Sequence, residues 1–287
     1  MKYFTVFLTM MVVLIGQDDF IGDVFDNGSI NYGDRTIQAV GIGFIPENVI
    51  NAGQARRAAM RIAKQDALRQ LIEIVNGVNV TSETTVSGAM FDDIIKTQVQ
   101  GAIRGARRVG QPSYLSDTSV EVTYEVKMAD ISRVLLPIAE KAPVLKFKES
   151  SIERDFTSEI SSGQKSNKES KIVSGGITGI IIDGKGLGLR PAMSPRIVTQ
   201  SGSVVYGPGH YSRDYAASNG VVGYAKTIDK AKSDPRVQGN PLVIRGSSVS
   251  GSSAADMVIS NVDAGKIIRA DGNTGLLGSC RVMFVLD

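Results

Sequence analysis

Histidine and cysteine are almost missing from this 287-residue chain, which has one of each and no tryptophan. The single cysteine, Cys280, excludes an internal disulfide, and its apolar surroundings predict a small buried residue within a strand. One cysteine and one histidine, His210, cannot supply the nitrogen and sulfur ligands of most zinc sites. The same scarcity argues against histidine-dependent catalysis. We therefore expect no catalytic residue, no metal and no cofactor, and predict that the protein is not an enzyme.

The chain also has little excess charge, with a formal net charge of +3. So small a balance gives no electrostatic reason to expect nucleic acid, and we predict no nucleic-acid partner. Hydrophobic residues make up 42% of the chain and charged residues 21%, so most of it can fold. The length favours one large or two ordinary domains.

The N-terminus predicts export. Met1-Lys2 is followed by an uncharged stretch from Tyr3 to Gly16, too short to span a bilayer comfortably and about the length of a secretory signal. We predict a signal peptide over residues 1–16, with an uncleaved anchor or a buried N-terminal helix as alternatives. Leu14-Ile15-Gly16 resembles the start of a bacterial lipobox, but Gln17 stands where the lipidated cysteine would be. The expected location is therefore periplasmic or outer-membrane-associated, without lipidation.

A first domain is predicted over residues 36–137, after an acidic segment at 18–34 that favours irregular structure. Its pattern gives a strand at Thr36–Gly43, a helix from Asn51 to Val75, and a strand at Val78–Val86. A second helix at Phe91–Gly105 and a strand at Val120–Met128 follow. This order predicts an α+β sandwich with helices on one face of a sheet.

The long helix combines an apolar stripe with a basic face. The stripe is formed by Ala55, Ala59, Ile62, Ala63, Leu68, Leu71, Ile72 and Val75. The basic residues are Arg56, Arg57, Arg61, Lys64 and Arg69. They indicate either a footprint for an acidic partner or a solvated helix face. In the second helix Ile94, Val99 and Ile103 are expected on the buried side.

Residues 138–176 are rich in serine and mixed charge, which predicts a polar linker. The second domain, residues 177–287, begins with Ile180-Ile181-Ile182, typical of a strand buried on both faces. Ser201-Gly202 predicts a hairpin turn. Further strands and short helices alternate to the C-terminus, and Gly246–Ser253 is expected to be a flexible loop. The overall prediction is an α+β fold of two sandwich-type domains joined by a polar linker and preceded by a signal peptide.

One loop of this domain is a candidate contact surface. It carries the only histidine, His210, among three aromatic residues, Tyr206, Tyr211 and Tyr215. Loops on rigid scaffolds often bind ligands. The alternative is that the tyrosines pack at the base of the loop.

The helix from Ala55 to Leu71 resembles that of the LPP-twenty-type lipoproteins, a bacterial envelope family in which a strand and a second helix follow it. The same domain type is similar to the N-terminal domain of the flagellar H-ring protein FlgT. Gly179–Ile197 resembles a segment that follows this domain in longer members, whereas Gln17 departs from the lipidated ones.

The resemblance implies a non-enzymatic exported envelope protein, acting as a structural or assembly component of a flagellar or outer-membrane-associated ring. Its partners would be further copies of itself or other envelope proteins. The alternative function is a periplasmic module that binds peptidoglycan or another glycan through the Tyr206–Tyr215 loop.

Overall fold

The computed structural model describes residues 20–45, 51–90, 93–115, 119–139 and 176–287. The protein is α+β, as predicted, with a domain on either side of residues 140–175. The predicted signal peptide and nearly all of the predicted linker lie outside the described residues. Within the described ranges, no helix has both the length and the apolar character that crossing a membrane requires.

Over the described residues, the first domain is a five-stranded antiparallel sheet with four helices. Its strands, in chain order, are β1 (Gly22–Phe25), β2 (Gly28–Asn31), β3 (Thr36–Gly43), β4 (Arg107–Tyr114) and β5 (Val120–Lys127). Its helices are α1 (Ala52–Asn76), α2 (Val86–Ala89), α3 (Asp93–Arg104) and α4 (Met128–Ala139). The strand order across the sheet is β1-β2-β3-β5-β4, so β3 and β5 are central.

Helix α1 lies on one face of this sheet at very short range. Alanines at four-residue spacing form its buried ridge, from Ala55 to Ala67. They pack on Gly41 and Gly43 of β3, where a Cβ atom would overlap the helix backbone. The small residues on both sides therefore set how closely helix and sheet approach. Ile62, expected in the apolar stripe, is instead exposed because it lies beside this ridge.

The second domain contains two four-stranded sheets and three helices. Its strands are β6 (Ile180–Asp183), β7 (Ile197–Thr199), β8 (Val204–Tyr206), β9 (Gly223–Ala225), β10 (Leu242–Arg245), β11 (Ser248–Ser250), β12 (Asp256–Ile259) and β13 (Val282–Val285). Its helices are α5 (Arg213–Asn219), α6 (Ile228–Ser233) and α7 (Asn261–Thr274). One sheet, β10-β6-β13-β9, is wholly parallel, and the other has the order β11-β12-β7-β8.

The centre of the second domain follows the sequence pattern closely. Ile180, Ile181 and Ile182 are fully buried in β6, which lies between β10 and β13. The predicted hairpin is present as β7 and β8. Cys280 is fully buried, as predicted, but it lies in a turn just before β13 rather than within a strand.

Several local predictions were wrong. Residues 22–31 form a hairpin rather than an irregular leader, because Ile30 is buried opposite Ile37 of β3. The sequence predicts a chain break at Gly110-Gln111-Pro112, but Arg107–Tyr114 continues through these residues as strand β4. The register shift between Val109 and Ser113 accommodates them. Helix α4 was not predicted. Ile94, expected to be buried, is 66% exposed, and Phe91 lies outside the described residues.

Three other corrections concern strands, loops and caps. Val78–Val86 is not a strand: it makes one isolated bridge, between Asn79 and Thr85, and turns back on itself. Part of the supposed flexible loop at Gly246–Ser253 is strand β11, paired with β12. The sequence predicts a helix capped by Asn261 or Asp263 and stopped by Gly272. Helix α7 is instead capped by Ser260 and continues past Gly272 to end at the left-handed Gly275.

Candidate functional site

The loop Val78–Val86 of the first domain forms hydrogen bonds with two segments of the second domain. We call this contact the interdomain clamp. On one side, Met193 and Ser194 donate backbone N–H groups to the carbonyls of Asn79 and Val80, at 2.9 and 2.7 Å. On the other, Ser253 donates its N–H to the Ser82 carbonyl at 2.9 Å. These three carbonyls are thereby satisfied across the domain boundary, whereas the N–H groups of Val80, Thr81 and Val86 bond within the loop itself.

A buried carboxylate lies at the centre of the clamp. Asp256 is fully buried at the start of β12, and its Oδ2 accepts a 2.5 Å hydrogen bond from the Ser82 hydroxyl. Arg196 donates to the same carboxylate through its backbone N, Nε and a terminal guanidinium nitrogen, at 2.8, 2.8 and 2.6 Å. A buried charge persists when it is paired and fully hydrogen-bonded, and here the partners come from both domains. Ser82 is itself fully buried, so this arrangement joins the domains and presents no open hydroxyl.

Two arginines form a second contact, at the C-terminal end of α5. Arg35, from the first domain, donates to the carbonyls of Ser218 and Ala217 at 2.5 and 3.1 Å. Arg236 donates to the carbonyls of Asn219 and Gly220. The last carbonyls of a helix carry partial negative charge, which cations stabilise. Burial, with the nearby charge of Arg236, lowers the pKa of Arg35 to about 10, so the Arg35 guanidinium stays charged at neutral pH.

Aromatic rings complete the contact between the domains. Tyr32 meets Tyr224 edge to face with ring centroids 5.9 Å apart, and Tyr224 meets Phe284 in the same manner at 6.2 Å. The Tyr224 hydroxyl donates to the Ala192 carbonyl and accepts from the Ala192 N–H. One buried cluster therefore runs without a break from the first domain into the second.

An open cavity of about 470 Å³ lies beside this contact, where β9 of the parallel sheet ends. A neighbouring cavity of about 180 Å³ shares Ile21 and Lys226 with it. Carboxyl ends of parallel strands are a common place for ligands. Here, however, Asp229 and Asp234 stand among the lysines of the larger cavity, so its charge is mixed and favours no ligand class. Among the described residues, no group of three or more His, Cys, Asp or Glu side chains could hold a metal ion.

The structure separates the four residues of the predicted contact loop. Tyr206 is fully buried in β8 and donates to the Val221 carbonyl, and Tyr211 is buried against it with ring centroids 5.7 Å apart. Burial raises the pKa of the Tyr206 hydroxyl well above its ordinary value. His210 and Tyr215 are exposed. Of the four predicted residues, only His210 and Tyr215 can therefore contribute to a contact surface at this loop.

The residues of the clamp were missed from the sequence, although two signals pointed to them. Asp256 is a lone acid directly before the apolar run Met257-Val258-Ile259, a position where a buried carboxylate needs partners. The alternation in Val78–Val86 correctly marked buried residues, since Val78, Val80 and Val86 are all in the core. The pattern could not identify the residue that Ser82 contacts, because Arg196 lies more than 100 positions away along the chain.

Residues 179–287 match the family described as Treponema pallidum Tp0624, second domain. The match covers less than half of the chain and coincides with the second domain. No curated protein matches the chain.

Proposed function

We propose that this protein is a non-enzymatic structural or assembly component of the bacterial cell envelope, exported and not lipidated. Its partners would be further copies of itself or other envelope proteins, in an outer-membrane-associated or flagellar ring. The similarity of the α1 segment to envelope lipoproteins supports this assignment, as does the export-type N-terminus with Gln17 in place of the lipidated cysteine.

The observation that carries the proposal is the open face of the five-stranded sheet. Helix α1 covers one face, whereas on the other Val40 and Val109 flank Thr123 in one row, with Ile42 in the next. Ile42 and Val109 are exposed. Apolar side chains on an exposed sheet face are typical of a surface that another protein covers. The clamp holds this face in a fixed relation to the second domain, as an assembly component requires.

Photo-crosslinking in cells tests the open face. A photoreactive amino acid at Ile42 or Val109, in the full chain, should crosslink to a second copy or to an envelope protein. The matched control is Val262 on α7, which is also exposed but lies on the second domain. Equal crosslinking at all three positions, or none, would remove the open face from the proposal.

Cell fractionation with mass spectrometry of the mature N-terminus tests the proposed location. A chain recovered from the periplasm or outer membrane and beginning at or near Gln17 agrees with export without lipidation. Recovery from the cytoplasm with Met1 intact would contradict it.

A second candidate function is glycan binding, in which the envelope partner is peptidoglycan. The observation in its favour is that Tyr215 and His210 are both exposed near the start of α5. Sugar rings pack on exposed aromatic side chains, so Tyr215→Ala should reduce retention of the protein on purified cell wall. Retention equal to that of the unchanged protein would exclude this surface.

A further inference from the structure

The end of the first domain farthest from the second carries exposed apolar and aromatic residues. Gly43 of β3 and Tyr114 of β4 both pair with Val120 of β5, so these two strand ends lie roughly 10 Å apart. Phe44 follows directly and is 61% exposed, Tyr114 is 60% exposed, and Leu115 is 39% exposed. We call Phe44, Tyr114, Leu115 and the adjacent Arg56 the distal tip.

The distal tip lies well away from the contact between the domains. Arg35 and Tyr32, which touch the second domain, come just before Thr36 at the opposite end of β3. An eight-residue antiparallel strand separates its ends by about 24 Å. The tip residues therefore serve neither the clamp nor the common core.

The helix that adjoins the tip is strongly basic. Between Ala52 and Gln65, α1 contains four cations, Arg56, Arg57, Arg61 and Lys64, and no acidic residue. A helix N-terminus favours carboxylates, yet the first turn of α1 has none. Helix stability does not account for this charge pattern. The guanidinium of Arg56 lies 5.7 Å from the centre of the Tyr114 ring, which joins the basic helix face to the aromatic tip.

Ion pairing within the chain does not explain this basic face. Such pairing accounts for Arg69, which binds Asp66 and Glu73. Arg69, however, lies beyond the part of α1 that has no acidic residue. Lys64 faces the ring of Tyr124 at 5.8 Å, again a cation on an aromatic ring rather than on a carboxylate. Phenyl, phenol and leucine side chains beside arginines are the combination that enters the headgroup region of a bilayer while the cations meet anionic lipid.

We propose that the distal tip docks on an anionic lipid surface, with Phe44, Tyr114 and Leu115 entering the interface and the basic face of α1 meeting the headgroups. This contact is separate from the open sheet face, so its failure would leave the assembly proposal standing. It would place the second domain on the side of the molecule away from the lipid.

A local fluorescent label tests the tip in the full chain. The native Cys280 is fully buried, so Leu115→Cys provides an accessible thiol for an environment-sensitive dye. On vesicles of phosphatidylglycerol and phosphatidylcholine the emission should shift to the blue, and on pure phosphatidylcholine it should not. The matched control is Ile268→Cys on α7, which is similarly exposed on the second domain and should show no shift. A label at residue 115 that stays in water on anionic vesicles would overturn the proposal, even if the chain attaches through its apolar N-terminus.

Charge variants test the basic face separately. Each cation near an anionic membrane contributes about a fivefold factor, so Arg57→Gln with Arg61→Gln should weaken the label's vesicle partition roughly 25-fold. Lys185→Gln with Lys232→Gln removes two exposed cations of the second domain and should leave it unchanged. Equal weakening by both pairs would show attraction by overall charge alone and would contradict docking through the tip.

Discussion

At the scale of single residues, two sets of buried or partly buried polar residues join the two domains. Asp256, Ser82 and Arg196 form one hydrogen-bonded group, and Arg35 reaches a helix end in the other domain. Neither group contains a histidine or an accessible nucleophile. Both groups connect side chains of the first domain to the second.

Replacing Asp256 should test how strongly this group stabilises the protein. Asp256→Ala leaves the partly buried Arg196 guanidinium and the Ser82 hydroxyl without their acceptor, and breaking such a buried pair costs about 3–5 kcal/mol. Asp130→Ala is the control, because its ion pair with Arg133 is exposed and is worth about 0–0.5 kcal/mol. Urea unfolding followed by circular dichroism measures both. Similar losses for the two variants would mean that the buried group is not a main source of stability.

Buried tyrosines should make the protein sensitive to alkaline pH. Burial raises the pKa of the Tyr32, Tyr206 and Tyr224 hydroxyls above the ordinary value of 10.0. The unfolded chain therefore releases these protons at a lower pH than the folded chain does. Their contribution to stability is complete below pH 10 and falls as the pH rises above it, by roughly 1.4 kcal/mol per hydroxyl for each pH unit.

Absorbance at 295 nm, recorded against pH together with circular dichroism, checks this prediction. Three of the eight tyrosines should ionise only as the structure unfolds. In Tyr206→Phe that late step should shrink by one phenol. Ionisation of all eight tyrosines while the circular dichroism remains native would contradict the expected protection.

At the scale of elements, the close packing of α1 on β3 depends on glycine. A Cβ atom at Gly41 would overlap the backbone of Ala63 and Ala67, which cannot move without displacing the helix. Gly41→Ala should therefore lower the free energy of unfolding by about 2–3 kcal/mol. Gly101→Ala, in α3, has open space around the new methyl group and should raise it by roughly 0.5–1 kcal/mol through helix propensity. Thermal unfolding of both variants gives the comparison, and a tolerated Gly41→Ala would show that the helix can shift.

Elements whose partners lie nearby in sequence, or whose pattern is long, were predictable. The periodicity of Thr36–Gly43 and Val120–Lys127 identified the two central strands, and Asn51 with Gly77 bounded α1. The structure of Val78–Val86 was not predictable. The same alternation occurs in a strand and in a loop whose inward residues face a second domain. The contact with Asp256 that decides between them is formed by residues 174 positions apart.

The same reasoning explains the candidate contact loop. Tyr206, Tyr211 and Tyr215 looked equivalent in sequence, as aromatic residues in a loop with turn chemistry. Only the fold shows that Tyr206 stands in a strand over Val221 while Tyr215 lies on the outer side of α5. Spacing alone does not distinguish a tyrosine that closes a core from one that meets solvent.

At the scale of the whole molecule, the two domains behave as one packed unit across the clamp, the arginines and the aromatic rings. The buried cluster that contains Ile37 of β3 also contains Phe284 of β13. Interfaces between domains of one chain are commonly smaller and more polar, and they then permit relative motion. Here a shared core and a shared buried carboxylate indicate that the domains unfold together.

The final prediction distinguishes the contribution of the interdomain clamp from the cost of a left-handed backbone at Gly251. Gly251 has a left-handed backbone, with φ of +85°, and a Cβ atom there would overlap the Ser82 side chain. Gly202, in the β7–β8 turn, has φ of +84° and open space around it. Alanine costs roughly 1–2 kcal/mol at either position through its left-handed conformation. Only Gly251→Ala must also push the two domains apart, at an additional cost of about 1–3 kcal/mol.

Hydrogen exchange should therefore accelerate across Val78–Val86 in Gly251→Ala and stay unchanged there in Gly202→Ala. Equal protection of this loop in the two variants would mean that the first domain holds it without help from the second, and the domains would then be joined mainly by their aromatic core.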